Sequence, residues 1–547
     1  FYENLFKKSI IYLPHPYTDS PVPDFDNVNE RIPSVTLDEL LNLVINIKKK
    51  KSVDARGLNN YMFHHLSLSH WPLLLKLINK SFESAVFPSS WKESRMILIA
   101  KKDAICPPSL TRPISLIDSF LKVCEKLFLS RFRDVLFRRG LLPDIQSGFR
   151  EKFRLQTRLL LFLGDLRSLL VNSAPVCTLF IDFKSAFDML WHHGCIGKLK
   201  RLGIPHSYLN WIENWLSDRQ GFIEINNCRS RWFPINKGGP QGSVLTPTLF
   251  ITYHCDMYSF LAGATSHMFA DDVAAIVSGQ MGLRFTDQCI DLEKRLCKFL
   301  DQLEFYSVLA DQPLNFSKTE AMFSCRAIAN PKFNLAFPSD NSTLNWKKEY
   351  KYLGYIISRK LGWSKLIHNT EIKIRRSISL IKSFKIFGCS SPKLRLALFH
   401  TFVLPIFSWI FPLFPLFTRF QQQRLSHFYY TSLRRLLSCL HLNNNLFSYC
   451  LDLPSLEDRC LNYWNRYLIS LSDSVDGNLF FEQANHSYFR NSWINKDFCI
   501  MSLHRNKRLV PCSSIFETVM SWLSSVPLNS SVPAFEINDF ELLQLFP

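Results

Sequence analysis

The sequence predicts an α+β chain in which two apolar strands carry acidic residues to one edge of a sheet. Three observations predict it. Residues 268–277, Met-Phe-Ala-Asp-Asp-Val-Ala-Ala-Ile-Val, set Asp271 and Asp272 between two apolar runs, the pattern of a strand, a polar turn and a second strand. Residues 176–181 read as a buried strand, and Asp182 stands at its end. Apolar residues recur at helical spacing in long stretches before and after these strands.

Adjacent carboxylates without a neighbouring Lys or Arg repel each other, so an outside charge must stabilise Asp271 and Asp272. A hard divalent cation suits them, because Mg²⁺ takes one or two carboxylates together with substrate phosphates. A solvated Asp-Asp turn has the same local sequence. Asp182 could equally cap a helix ahead of Ser185-Ala186-Phe187. If the two strands pair instead, their acids meet, and acids bridging two ions about 4 Å apart can activate a hydroxyl and stabilise a leaving pyrophosphate.

The 547 residues are 47% hydrophobic and 20% charged, a globular composition. At roughly 150 residues per domain, that length suggests three or four domains. Lys and Arg number 65 against 46 Asp and Glu, a net charge of +19. Such an excess points to a polyanion partner or to a basic surface. The 15 cysteines are scattered, with no CxxC pair and no zinc spacing, which favours a reducing, intracellular setting. Residues 1–17 mix Lys, Glu and Pro into short apolar runs and do not read as a signal peptide.

In chain order, residues 14–33 read as a linker. Thr36 and Glu39 suggest a capping box ahead of Leu40, Leu41, Leu43, Val44 and Ile47. The lysine run 48–51 is a solvated helix end or a phosphate contact. Residues 64–87 carry a second helical pattern. Residues 95–100 read as a strand, and Lys101 and Lys102 follow it. Arg112 sits in what reads as a tight loop, from which a guanidinium can grip phosphate with two hydrogen bonds. Asp118 is a plausible cap for the helix beyond it.

Lys237-Gly238-Gly239-Pro240-Gln241-Gly242-Ser243 lies between the acid-bearing strands. Its glycines let backbone approach a ligand, and Gln241 offers donors and an acceptor there. Residues 396–417 are nearly all apolar and long enough to span a bilayer, but His400, Pro405, Pro412 and Pro415 interrupt them. A buried helix with a proline turn is the better reading.

The order of these stretches carries more than any one of them. Phe180-Ile181-Asp182 with Ala186-Phe187-Asp188 comes first, then Gly239-Pro240-Gln241-Gly242-Ser243, then Phe269-Ala270-Asp271-Asp272. Asn315-Phe316-Ser317-Lys318-Thr319 and Tyr352-Leu353-Gly354 follow. Upstream stand Arg112-Pro113-Ile114-Ser115-Leu116 and Gln146-Ser147-Gly148-Phe149-Arg150. In this order the motifs resemble the reverse transcriptases of non-LTR, LINE-type retrotransposons, most closely the Jockey-like group, over about residues 35–465.

The resemblance implies a right-hand polymerase with an antiparallel palm sheet, a helical N-terminal extension and a mostly helical C-terminal region. Its divisions would be 1–85 for the extension, 86–358 for fingers and palm, 359–440 for the thumb and 441–547 for a region of unknown role. It implies an RNA-directed DNA polymerase that takes an RNA template, a DNA primer and dNTPs. Asp182, Asp271 and Asp272 would bind two Mg²⁺ ions, or Mn²⁺, with the Phe183 carbonyl helping. Phe187 would be the aromatic gate against a ribose 2′-hydroxyl; otherwise it is a core Phe. Gln241 and Gly242 would lie along the template–nucleotide pair. Arg112, with Lys101 or Lys102, would clamp the triphosphate. Lys318 would donate a proton to pyrophosphate; otherwise it is a surface lysine.

The basic amphipathic helix over 369–384 would be part of the thumb, and residues 453–459 resemble the family's segment beyond it. Action in the nucleus after a cytoplasmic ribonucleoprotein stage is implied. The family's endonuclease, a separate upstream domain, has no counterpart here, so target nicking is not expected. Residues 51–58 lack the family's usual Pro-Gly-Asp, residues 151–157 follow its Gly-Arg-Ser-Thr stretch loosely, and Gly239 replaces a branched apolar residue. An inactive copy, or an RNA-binding protein such as a maturase on the same scaffold, are the alternative readings.

Overall fold

The structure, a computed structural model, describes residues 1–101, 107–171, 174–226, 228–261, 263–325, 333, 335–384, 391–437, 453–472, 474–485 and 514–526. Lys102, and residues 441–452, 486–513 and 527–547 of the expected C-terminal region, lie outside them.

Twelve strands are described. In chain order they are β1 (Glu93–Ala100), β2 (Thr111–Ile117), β3 (Val176–Ile181), β4 (Arg219–Ile225), β5 (Cys228–Arg229), β6 (Phe233–Ile235), β7 (Thr265–Phe269), β8 (Asp272–Ser278), β9 (Glu320–Ser324), β10 (Asn345–Trp346), β11 (Glu349–Tyr352) and β12 (Tyr355–Ser358). One sheet runs β2-β1-β4-β5, with β6 also on β4. Pro113 lies in β2 because that strand is at the sheet edge, where a missing N–H costs no ladder bond. The second sheet runs β10-β9-β3-β8-β7. β11 and β12 form a separate hairpin.

The second sheet is a wall between two cores, and strand periodicity builds it. Cys177, Leu179 and Ile181 of β3, with Val273, Ala275 and Val277 of β8, face one core. Val176 and Phe180, with Ala274 and Ile276, face the other. Every residue of β3 is therefore buried, which is why it reads as a continuous apolar run.

On the first side pack the helices Ser119–Arg138, His206–Leu216, Thr246–Tyr253 and Phe285–Leu309. Asp118 caps the first of these by accepting from the N–H groups of Phe120 and Leu121, as expected. Residues 17–85 share this core: Phe82 lies edge-on to both Phe128 and Trp211. Thr36 caps the helix Leu37–Ile45, but the box is half made. The Glu39 carboxylate goes chiefly to Arg131, with two 2.8 Å bonds, and the Thr36 backbone N–H adds a lesser stabilisation. Residues 64–87 are not one helix. Short 3₁₀ turns precede the helix Trp71–Ser84, which starts where Pro72 presets its first turn.

On the second side pack Leu155–Val171, Ser364–Ser383, Arg419–Leu437, Leu456–Leu471 and Ile515–Ser525. The helix Ser364–Ser383 buries Leu366, Ile367, Ile374, Ile378 and Ile381. Its buried Glu371 accepts both bonds of the Arg424 guanidinium, at 2.8 and 2.9 Å. Residues 396–417 break into short helical pieces, and Phe399, Phe407, Leu413 and Phe414 are fully buried. Among the described residues no helix is long and apolar enough to cross a membrane. The helix Leu456–Leu471 opens with a complete capping box between Ser455 and Asp458.

Candidate active site

The site stands where β3 and β8 run side by side. β7 and β8 pair so that Phe269 faces Asp272, leaving Ala270 and Asp271 to make the turn. Ala270 takes a left-handed backbone, φ +62°, which costs a non-glycine residue energy and needs outside support. Ile181 of β3 pairs with Val273 of β8. The residue after Ile181 therefore lies beside the residue before Val273, and Asp182 stands next to the Asp271–Asp272 turn.

The electrostatics agree. Burial raises the Asp271 carboxyl above the usual range, the charge of Asp182 adds to it, and Arg112 opposes it. Burial and the charges of Asp271 and Asp182 push Asp272 up to about 6. Asp182 is not a helix cap: its Oδ2 accepts from Asn315 Nδ2 at 2.7 Å. Lys318 Nζ lies 4.0 Å from the same oxygen and is 61% exposed, so it is free to swing. Asn315 N–H donates to the Asp182 carbonyl, and Phe183 bridges to Leu314. Among the described residues no three His, Cys, Asp or Glu side chains are drawn into a metal-holding group.

The loop at 238–243 folds over the residues after Asp182. The N–H of Gly238 donates to Leu190 O and that of Gly239 to Phe187 O. Gly242 has φ +133°, and a Cβ there would lie 2.4 Å from Ser115 O, so only glycine fits. Gln241 does not offer a free amide. Its Nε2 donates to both carboxylate oxygens of Asp188 at 2.9 Å, and its backbone carbonyl accepts from Ser115 N–H. Asp188 is 4% exposed, and burial pushes its carboxyl up to about 6. Phe187 is half-buried between Phe149 and Phe250, at ring distances of 6.1 and 4.6 Å.

Arg112 stands on a strand, not in a loop. It is exposed on β2 opposite Ile99 of β1, because the apolar alternation of 111–117 continues through Pro113. Lys101 is exposed just beyond β1, and its charge acts on Asp188.

Two supporting residues escaped sequence reasoning. Glu125 is fully buried; it accepts from Ser243 Oγ at 2.8 Å, Val244 N–H at 3.2 Å and Trp215 Nε1 at 2.9 Å. It ties the glycine loop to the helix Ser119–Arg138. Its signal was a lone acid among Leu121, Val123, Cys124, Leu127 and Phe128 on an apolar helix face. Gln146 was recognised only as part of a motif. Its Oε1 accepts from Ala270 N–H at 2.8 Å and its Nε2 donates to Ala270 O at 3.0 Å. A Cβ on Gly148 would lie 2.1 Å from Ala270 N.

Residues 99–357 match the family model described as reverse transcriptase (RNA-dependent DNA polymerase). The chain is 27% identical over 356 residues to the RNA-directed DNA polymerase from mobile element jockey of Drosophila melanogaster, covering 63% of this chain and 37% of that protein. It is 26% identical over 347 residues to the probable RNA-directed DNA polymerase from transposon BS of the same fly, covering 60% and 36%. Against the probable polymerase from transposon X-element, identity is 27% over 307 residues, covering 54% and 32%. The chain thus spans about a third of the length of these curated relatives.

Proposed function

We propose that this chain, whose residues 99–357 form a reverse transcriptase domain related to those of Jockey-like non-LTR retrotransposons, extends a DNA 3′-hydroxyl on an RNA template. The observation that carries the reading is the β3–β8 register, which sets Asp182 beside Asp271 and Asp272. In right-hand terms, the β7–β8 hairpin and β3 are palm, β1 and β2 belong to the fingers, and the helix Ser364–Ser383 begins the thumb.

The donor chemistry suits two Mg²⁺ ions: three carboxylates and the Phe183 carbonyl would be hard oxygen ligands once drawn together. Burial raises the Asp271 and Asp272 carboxyls and the neighbouring acid charges add to it, a cost that a cation would relieve. Such ions, when bound, lower the pKa of the primer hydroxyl and neutralise charge on the triphosphate. The chain's own side chains do the rest. Arg112 and Lys101 hold the triphosphate from the β1–β2 side. Phe187, braced by Phe250, stacks under the sugar and rejects a 2′-hydroxyl. Gln241, held by Asp188, and Gly242 line the template–nucleotide pair. Lys318 swings from Asp182 to the departing pyrophosphate and supplies its proton.

A primer-extension assay on an RNA template, with and without Mg²⁺, tests this. Incorporation of dNTPs by the wild type and none by Asp271→Ala supports it. Duplex binding without incorporation by the wild type would instead favour an inactive copy or an RNA-binding role.

A further inference from the structure

A second cationic site lies outside the acidic turn. A cavity of about 640 Å³ opens between the start of the helix Leu155–Val171, residues 404–411 and the helix Leu456–Leu471. Arg154, Arg459 and Arg466 line it, with Tyr463, Gln156 and Asn462. Among the described residues none of the three guanidinium groups is ion-paired with a carboxylate. Arg154 lies over the ring of Tyr467, with Asp476 in electrostatic range and bound to the Arg154 N–H. Among the described residues Arg459 donates one bond, to Tyr429 Oη at 3.0 Å. Arg466 is exposed. Three like charges around one cavity repel, and an anionic occupant relieves that cost.

The walls identify the anion. Tyr463 stacks on Tyr467 at 5.7 Å and 10° and lies tilted against Phe411 at 6.0 Å, so an aromatic ring is held firmly in the cavity wall. Guanidinium groups grip phosphate oxygens with paired bonds, and aromatic rings hold unstacked bases. Place in the fold points the same way. Gly148 packs on Ala270, and Arg154 follows six residues later, at most about 21 Å of chain. A strand passing the acidic turn can reach the cavity.

We propose that this cavity binds a short run of single-stranded nucleic acid, with Arg154, Arg459 and Arg466 on its phosphates and Tyr463 on a base. The proposal rests on the reading that the chain handles nucleic acid, but not on catalysis.

The test is equilibrium binding of an unprimed 20-nucleotide RNA across salt concentration, with the full chain. Neutralising three phosphate contacts should flatten the log–log salt slope by about 2. We expect that change, and at least tenfold weaker binding, in the Arg154→Ala/Arg459→Ala/Arg466→Ala variant. Arg466→Ala alone, exposed and so harmless to folding, should flatten the slope by about 0.7. Tyr463→Leu should weaken binding several-fold with the slope unchanged. Asp271→Ala, dead in primer extension, should bind like the wild type, which separates this site from the polymerase reading. Wild-type slope and affinity in both arginine variants would overturn the proposal. So would polyglutamate that displaces the RNA as well as a second RNA does, since that would mark an acidic polypeptide site.

Discussion

Gln146 holds Ala270 by both polar groups of its backbone, accepting from its N–H at 2.8 Å and donating to its carbonyl at 3.0 Å. Ala270 is the left-handed residue immediately before Asp271. The same Gln146 oxygen accepts from Gly148 N–H, and Ser147 N–H donates to Met268 O. Residues 145–148 therefore cover the outer edge of β7 and hold the turn in its strained form.

Gln146→Glu is expected to lower dNTP incorporation about a hundredfold, because a carboxylate cannot donate to Ala270 O and a catalytic group misplaced by about 1 Å costs that much. Duplex affinity should change little, while the thermal midpoint should fall, because Gln146 is 4% exposed and the substitution buries a carboxylate against Ala270 O. Gln146→Leu loses all three side-chain bonds, two to Ala270 and one from Gly148 N–H, at about 1 kcal/mol each. Single-turnover incorporation beside filter binding checks this, and full activity in either variant would remove Gln146 from the role.

Asp182→Ala and Asp271→Ala should each abolish Mg²⁺-dependent incorporation on a primed RNA and leave duplex binding within a few-fold of the wild type. A quenched extension assay measures it. Normal incorporation by either would mean that the acids beside the β3–β8 pair do not hold the reacting groups.

Phe187→Ala should admit ribonucleotides. The ring's place against Phe250 and Phe149 leaves it half-buried, with a face for a sugar. The ratio of dNTP to rNTP incorporation efficiency should fall by at least tenfold; an unchanged ratio would assign Phe187 to the core alone.

Asp188 predicts a pH dependence of stability. Its carboxyl, at about 6 in the folded chain, binds a proton more tightly than the unfolded value of about 3.9. The stability it contributes is full below about pH 4 and is lost as the pH rises through about 6. Two units correspond to about 3 kcal/mol. Relative to Asp188→Asn, the wild type should lose roughly that much between pH 4 and 7 in denaturant titrations. Parallel curves for the two proteins would contradict it. The variant also loses the carboxylate that orients Gln241.

The sequence by itself determined the pieces with strong local signals. The apolar runs around Asp271 and ahead of Asp182 are strands because an unbroken run of buried residues leaves β3 central in its sheet. Gly242 sits where a Cβ would strike Ser115 O. The order of the motifs carried the family. Local reading failed where a partner lies far along the chain. Arg112 is on a strand because β1 pairs with β2, and Glu39 gives its carboxylate chiefly to Arg131, 92 residues on, rather than to its capping box. Only the tertiary structure decided that Gln241 spends its amide on Asp188, that Glu125 anchors the glycine loop, and that Gln146 steadies the turn at Asp271. The physical reason is the same in each case. Strand and turn signals are written in neighbouring residues, whereas a buried polar group takes whichever partner folding brings within 3 Å of it, and no spacing rule names that partner in advance.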